Sequence, residues 1–348
     1  MGVGGRHMRD ANVQMLEGIR QLDLVGLIGP RALRAVIQRV VAIRRFLRHE
    51  AMDLVVLIDN PGMNFHFARI AKQAGHRVVY YITPQLWAWR PRRMSWMQRR
   101  VDHAVVILPF EAELYRQAGV PCTFVGHPLL DEMAASYDRE RIRAAYGLTR
   151  EERVLGLLPG SRRGEVRALL PLMLKAVTLL ERDIGPLRLI LAVADTVNQD
   201  EIKQICEEAV VPVHLIAGDP NGVMAAADLL FIASGTATLQ AALVGTPMVI
   251  VYKMPRVSYL VARALVRVRS IGLANLIAGR PFIPELVQHQ ATPEHLAAAG
   301  RRILQDHQYR DAMRAEMSRV KSLLGAPGAS KRAAAVILDV LERREARV

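Results

Sequence analysis

Residues 155–165, Leu155-Gly-Leu-Leu-Pro-Gly160-Ser161-Arg162-Arg163-Gly164-Glu165, carry an apolar strand into a Gly-Ser-Arg turn that opens a helix. Backbone N–H groups at a helix start, a glycine that admits a ligand close to the main chain, and a neighbouring arginine together suit a diphosphate. Downstream, Asp228-Leu-Leu-Phe-Ile-Ala233 ends in Ser234-Gly235-Thr236-Ala237-Thr238 and opens another helix. Small-residue loops at the carboxyl ends of strands are where open α/β sheets hold ligands.

Outward from these loops, apolar runs alternate with helical segments. Strands are expected at Asp53–Asp59, Arg77–Ile82, Ala104–Leu108, Cys122–Val125, Val154–Leu158, Leu187–Val193, Val211–Ile216, Leu229–Ala233 and Met248–Tyr252. Such alternation predicts an α/β fold of parallel sheets covered by helices, arranged as two doubly wound, Rossmann-like domains facing across a cleft. A chain of 348 residues suits two domains. The seam is expected after Gly126-His127-Pro128, dividing the chain into 1–130 and 131–348; His127 reads as a hinge or cleft-wall residue. Pro293–Gln305, Tyr309–Leu324 and Lys331–Val348 read as C-terminal helices packed on the sheets.

The chain has 51% hydrophobic and 23% charged residues, the balance of a folded globular protein. Its 2 cysteines, Cys122 and Cys206, are far apart, which excludes a disulfide framework or a zinc motif and fits a reducing cytoplasm. No apolar run is long enough to span a bilayer, and the first residues lack the core of a signal peptide.

The net charge of +14 admits a nucleic-acid or anionic-membrane partner. No helix-turn-helix, zinc-finger, RRM or KH signature supports nucleic acid. Between Leu24 and Arg48 there is no acidic residue, while Arg31, Arg34, Arg39, Arg44, Arg45 and Arg48 flank Leu33, Val36, Ile37, Val40 and Val41 at helical spacing. Such a helix can lie in a lipid interface with its arginines toward anionic headgroups, or can be a core helix with a solvated arginine face. The 3 tryptophans cluster in Leu86-Trp87-Ala88-Trp89-Arg90-Pro91-Arg92-Arg93-Met94-Ser95-Trp96. Tryptophan beside arginine favours the water–lipid boundary, although a core tryptophan pair gives the same pattern. The candidate lipid contacts are Arg31, Val36, Ile37, Val40, Arg44, Trp87, Trp89 and Arg90.

Asp59-Asn60-Pro61-Gly62-Met63-Asn64 directly follows an expected strand. A carboxylate there faces the cleft and can take a proton from an attacking hydroxyl, or the segment can simply shape a turn.

Taken in order, the motifs resemble the lipid-A-disaccharide synthase family. In the first half they are Gly2-Val3-Gly4-Gly5, Asp59-x-Pro-x-x-Asn64, Pro84-Gln-Leu-Trp-Ala-Trp-Arg90, Leu108-Pro-Phe-Glu111 and Phe124-Val-Gly-His-Pro128. In the second half they are Leu158-Pro-Gly-Ser-Arg162, Ser234-Gly-Thr-Ala-Thr-Leu239, Gly245-Thr-Pro247, Gly272-Leu-Ala-Asn275 and Arg280-Pro-Phe-Ile-Pro-Glu-Leu286.

The resemblance implies a GT-B glycosyltransferase at the cytoplasmic face of a Gram-negative inner membrane, bound peripherally to that anionic surface. It would join UDP-2,3-diacylglucosamine to 2,3-diacylglucosamine 1-phosphate, with inversion, releasing UDP and the β-1,6 disaccharide of lipid A. Asp59 is then the candidate base. Gly160, Ser161, Arg162, Ser234, Gly235, Thr236, Ala237, Thr238, Gln240, Asn275 and Glu285 are the candidate UDP-sugar residues, with Glu285 toward the uridine. No metal or other cofactor is called for, and a homo-oligomer is compatible with the reading.

The sequence departs from the family pattern in three places. The usual first strand and its Gly-Glu-Ala-Ser-Gly-Asp loop are missing ahead of Gly2, which is expected to leave neighbouring backbone groups unpaired. Gln240 stands where the family has glutamate, and Gly62 replaces a second aspartate. The readings left open are another GT-B enzyme using UDP-N-acetylglucosamine and a non-catalytic relative that binds UDP or membranes.

Overall fold

The structure, a computed structural model, describes residues 1–16, 30–86, 94–255, 259 and 270–343. Two parallel sheets organise them. Ahead of the first lie helices α1 (Arg6–Asp10) and α2 (Pro30–His49). Its strands are β1 (Val55–Ile58), β2 (Val78–Tyr81), β3 (His103–Val106) and β4 (Cys122–Phe124), separated by α3 (Pro61–Gln73), α4 (Met94–Arg100) and α5 (Glu111–Gln117). Spatial order follows chain order, β1-β2-β3-β4. Parallel register sets Leu57 beside Tyr80 and Tyr80 beside Ala104. Those three residues share one core with Phe65, Met97 and Tyr115 beneath the helices. On edge strand β1, Val55 and Leu57 point into that core while Val56 and Ile58 point outward.

After α6 (Leu129–Glu132) and α7 (Arg139–Ala145), the second sheet begins at β5 (Val154–Leu158). The chain continues through α8 (Arg163–Ile184), β6 (Arg188–Val193), α9 (Gln199–Glu208), β7 (His214–Ala217) and α10 (Pro220–Ala226). It then runs β8 (Leu229–Ala233), α11 (Thr236–Val244), β9 (Met248–Tyr252), α12 (Leu273–Ala278) and β10 (Glu285–Val287). The sheet order is β10-β9-β8-β5-β6-β7, all parallel. Winding proceeds one way from β5 and then returns to the other side of it at β8. The carboxyl ends of β5 and β8 therefore form the switch point of a doubly wound sheet. Both strands are buried along their whole length, which their uninterrupted apolar sequences require.

The nine expected strands are all present, with ends shifted by a few residues. Strand β10 was not expected; it has only 3 residues, one of them charged, and follows Pro284. Helices α13 (Pro293–Gln305), α14 (His307–Leu323) and α15 (Ala329–Glu342) close the chain. The last requires a correction. Placed with the second domain from sequence, α15 instead packs Ala333 and Val340 against Val79, Val105 and Val125 of the first sheet. Its apolar stripe identifies a helix but carries no signal of which sheet it covers.

The return crossing is tied tightly to the outward one. His127 N donates to Leu324 O at 3.1 Å, and Arg332 Nε donates to Val125 O at 2.8 Å. The Asp131 carboxylate accepts from the backbone of Gly328, Ala329 and Ser330, and these bonds hold it below the usual carboxylate range. An apolar cluster joins the lobes beside this crossing, with Leu108 and Leu129 from one side and Leu239, Leu243, Ile277, Val320 and Leu324 from the other.

Candidate functional site

At the second sheet's switch point a cavity of about 620 Å³ opens between the loops after β5 and β8. Its wall includes Gly160, Ser161, Arg162, Ser234, Gly235, Thr236, Ala237 and Gln240, eight of the residues expected to meet the UDP-sugar. Gly160 sits at φ +114°, and a Cβ there would lie 2.5 Å from Glu165 Oε2, so the tight turn needs glycine. Glu165 in turn holds Arg162, whose Nη1 donates to Oε1 at 3.0 Å. Thr196 Oγ1 donates to Ser161 O and fixes the other side of the turn.

Some helices carry a side-chain cap at their start and others, α12 and α15 among them, do not. Helices α9, α10, α13 and α14 each begin with a side-chain cap, from Asn198, Asp219, Thr292 and Asp306. Helices α8 and α11 have none. Their first N–H groups, with the partial positive charge of the helix end, are free of side-chain caps at the cavity rim, as a phosphate site requires.

Three other expected contacts occupy supporting places. Thr238 is fully buried, and its hydroxyl donates to Gly235 O at 2.8 Å. Asn275 is 1% exposed, and its amide capacity is filled: Nδ2 donates to Ile283 O and Glu285 Oε1, while Oδ1 accepts from Phe282 N and Ile283 N. The Glu285 carboxylate also receives Ile271 N at 2.7 Å and Gly272 N at 3.0 Å. Ser234 Oγ donates to Ile271 O, joining this network to the β8 loop. Glu285 faces a neighbouring cavity of about 640 Å³ with Arg280, Arg302 and Tyr309 rather than the one between the phosphate loops.

The first lobe presents a second cavity, of about 450 Å³, at the carboxyl ends of β1 to β3. Asp59, Gly62, Phe65, Ile82, Thr83, Pro84, Leu108 and Glu111 line it. Asp59 and Asn60 both adopt left-handed backbone, φ +48° and +44°, so strand β1 turns sharply just where the carboxylate emerges. The turn is held by Tyr80, whose hydroxyl donates to Asp59 O at 2.7 Å, and by Asn64 Nδ2, which donates to Asp59 O and Ile58 O. Burial, and secondarily the Asp59 charge, raises the Tyr80 hydroxyl well above its ordinary pKa, so it remains a donor. Asp59 itself is exposed to the cavity mouth. Leu108, in this wall, belongs to the same interlobe cluster as Leu239, the residue before Gln240.

On α2, Ile37 and Val41 are 53% and 57% exposed, one turn apart, with Arg34, Arg44, Arg45 and Arg48 exposed along the same helix. Ile43 and Leu47 enter the core and Val40 is half-buried. Trp96 packs edge-on to Phe65 of α3, with Arg100 4.8 Å above its ring. Trp87, Trp89 and Arg90, and the side chains of Arg31 and Val36, lie outside the described residues. Among the described residues no helix is long and apolar enough to cross a membrane.

Paired Rossmann-like lobes, the first wound in one direction among the described residues and the second doubly wound, with an uncapped glycine-serine cradle in one and a carboxylate-bearing cavity in the other, define the GT-B class of nucleotide-sugar enzymes. Solved structures agree with that architecture. A UDP-GlcNAc 2-epimerase from Neisseria meningitidis bound to UDP-GlcNAc is similar over 92% of this chain and 86% of its own, with TM-score 0.59 and 12% identity. A glycosyltransferase from Rickettsia africae is similar over 97% and 86%, with TM-score 0.55 and 8% identity. The sequence profile described as lipid-A-disaccharide synthetase matches residues 1–338. The chain belongs to the lipid-A-disaccharide synthase family. The synthase of Syntrophus aciditrophicus is 41% identical over 99% of this chain and 90% of its own length. That of Trichlorobacter lovleyi is 39% identical over 98% and 90%.

Proposed function

We propose that this protein is an inverting glycosyltransferase that joins UDP-2,3-diacylglucosamine to 2,3-diacylglucosamine 1-phosphate. The family supports that pair of substrates over UDP-N-acetylglucosamine enzymes and over a non-catalytic relative. The observation that carries the reading is the pairing of two cavities. A phosphate cradle of capless helix starts lies in one lobe and a carboxylate on a strained strand end lies in the other.

In the reaction, the Asp59 carboxylate takes the proton of the acceptor C6 hydroxyl as that oxygen attacks the anomeric carbon. The bond from C1 to the UDP oxygen breaks on the opposite face, and UDP leaves with the electron pair. Charge gathering on its β-phosphate meets the backbone N–H groups of Gly160–Arg162 and of the α11 start, with the Arg162 guanidinium beside them. Thr238, Asn275 and Glu285 hold those loops in shape.

Ile37, Val41 and the exposed arginines of α2 form a surface suited to the anionic inner membrane, where both acylated substrates reside. That surface supports the reading of an enzyme bound peripherally at the cytoplasmic face. The lobe division we adopt is 1–130 for the acceptor and 131–348 for the nucleotide sugar, with α15 returning to the first.

The test is to incubate purified protein with both lipid substrates and follow disaccharide and UDP by mass spectrometry. Product from the wild type and a loss of at least about 100-fold in Asp59→Asn, with UDP affinity unchanged, is expected. An Asp59→Asn variant of normal activity removes Asp59 as the base; a folded wild type that makes no disaccharide removes the function.

A further inference from the structure

Both backbone polar groups of Asp59 are tied down, while its side chain is exposed at the cavity. The Asp59 N–H donates to Tyr81 O at 3.0 Å, which keeps the pairing of β1 with β2 intact up to this residue. The Asp59 carbonyl accepts twice, from the Tyr80 hydroxyl and from Asn64 Nδ2, both at 2.7 Å, and so fills its two lone pairs. The next carbonyl, of Asn60, accepts Met63 N at 3.2 Å and Asn64 N at 3.0 Å in the first turn of α3. With these atoms fixed, only the side-chain torsions of Asp59 remain free.

The anchoring works against strain. Asp59 and Asn60 stand in succession in a left-handed backbone region that glycine enters freely and other residues enter at a cost. No glycine occupies either position, although Gly62 follows closely. Relaxing φ at Asp59 would rotate its Cβ about the N–Cα bond and aim the carboxylate elsewhere. Tyr80 is a rigid post against that movement. It lies inside β2, fully buried between Leu57 and Ala104 of the neighbouring strands, with its ring 6.4 Å from that of Phe65. Packing asks only for a ring at this position; the hydroxyl goes to Asp59 O, with the Asn64 amide beside it. Burial, and then the Asp59 charge, keep that hydroxyl protonated, so it is a donor and not a second base. Asn64 reaches back to the same carbonyl from α3 and closes the Asp59-x-Pro-x-x-Asn64 run on itself.

This inference rests on Asp59 as the base. We propose that Tyr80 and Asn64 are positioning residues, which set the rate by gripping the Asp59 carbonyl so that the strained turn presents the carboxylate to the acceptor C6 hydroxyl. They act through Asp59 and not on either substrate.

Steady-state kinetics on Tyr80→Phe and Asn64→Ala, each alone and combined with Asp59→Asn, test this. Each single change is expected to lower kcat about 10-fold, with KM for both substrates within about twofold of wild type, because one hydrogen bond that aims the base is lost. In the Asp59→Asn background neither change is expected to cost anything further, since no base is left to aim. A merely structural role would lower activity equally in both backgrounds. Equal losses in the two backgrounds, losses carried by KM, or a Tyr80→Phe enzyme equal to wild type overturn the proposal. Tyr80→Phe keeps the ring that packs; should either variant fail to fold, the other decides alone. Failure of the underlying reading is told apart by Asp59→Asn by itself: normal activity there removes the base, and this inference with it.

Discussion

Acid should loosen the crossing between the lobes through a single imidazole. His127 is 6% exposed, and burial lowers its pKa from the ordinary 6.5 to about 4. Its Nδ1 accepts Leu129 N at 3.2 Å at the start of α6, so protonating that nitrogen would set a buried positive charge against an N–H donor. The unfolded chain takes up a proton near pH 6.5 and the folded chain near pH 4. Stability from this residue is therefore full above pH 6.5 and is lost as pH falls toward 4. Linkage between those two values amounts to about 1.4 kcal/mol at pH 5.5 and about 2.5 kcal/mol at pH 4.5, relative to pH 7.5. Urea unfolding of wild type and His127→Asn across that range isolates the effect. Asparagine keeps an acceptor for Leu129 N but does not titrate, so other acid-sensitive groups cancel in the difference. The variant's stability should decline less than that of wild type by about 2.5 kcal/mol between pH 7.5 and 4.5. Parallel curves for the two proteins would refute the argument.

Three further perturbations probe the sites directly. Gly160→Ala forces a Cβ into Glu165 in a backbone region that L-residues avoid, and should cost about 1–3 kcal/mol with a matching loss of UDP affinity by calorimetry. Asn275→Ala strips partners from Phe282 N, Ile283 N, Ile283 O and Glu285 in a buried setting. Denaturant unfolding should show a loss of about 3 kcal/mol or more, and a loss near zero would mean that the network carries little. Ile37→Asp combined with Val41→Asp should weaken binding to anionic vesicles at least about 10-fold in a flotation assay while detergent-dispersed substrates are still turned over. Unchanged flotation would move the lipid contact off α2.

The core of the second sheet was legible because Val154–Leu158 and Leu229–Ala233 are uninterrupted apolar runs that end in Gly-Ser turns; only buried parallel strands meeting ligand loops fit that pattern. Strand β10 was not, since three residues with a leading glutamate carry no period, and pairing with β9 alone defines them. The placement of α15 was hidden for a different reason. Its apolar stripe is local, but the choice of sheet depends on Asp131 and Arg332 bonds that join residues 198 and 207 positions apart. Motifs marked Asn275 and Glu285 as members of one site, yet they could not reveal that the two side chains bind each other.

What separates ligand-facing residues from loop-building ones in this chain is the state of their hydrogen-bonding capacity. Asn275 has both amide hydrogens and both carbonyl lone pairs committed, and Thr238 spends its proton on Gly235. Neither can meet a substrate without first breaking a buried bond, an exchange that yields little net binding. The capless starts of α8 and α11 are the opposite case. Each presents donors that the fold positions without satisfying, so a substrate that completes them gains the full interaction at no internal cost. The stability lost by leaving those groups open is offset elsewhere, in the saturated Asn275–Glu285 network and the interlobe clasp around Asp131. A site assembled this way binds tightly where the chain is incomplete, and family motifs mark both kinds of residue alike.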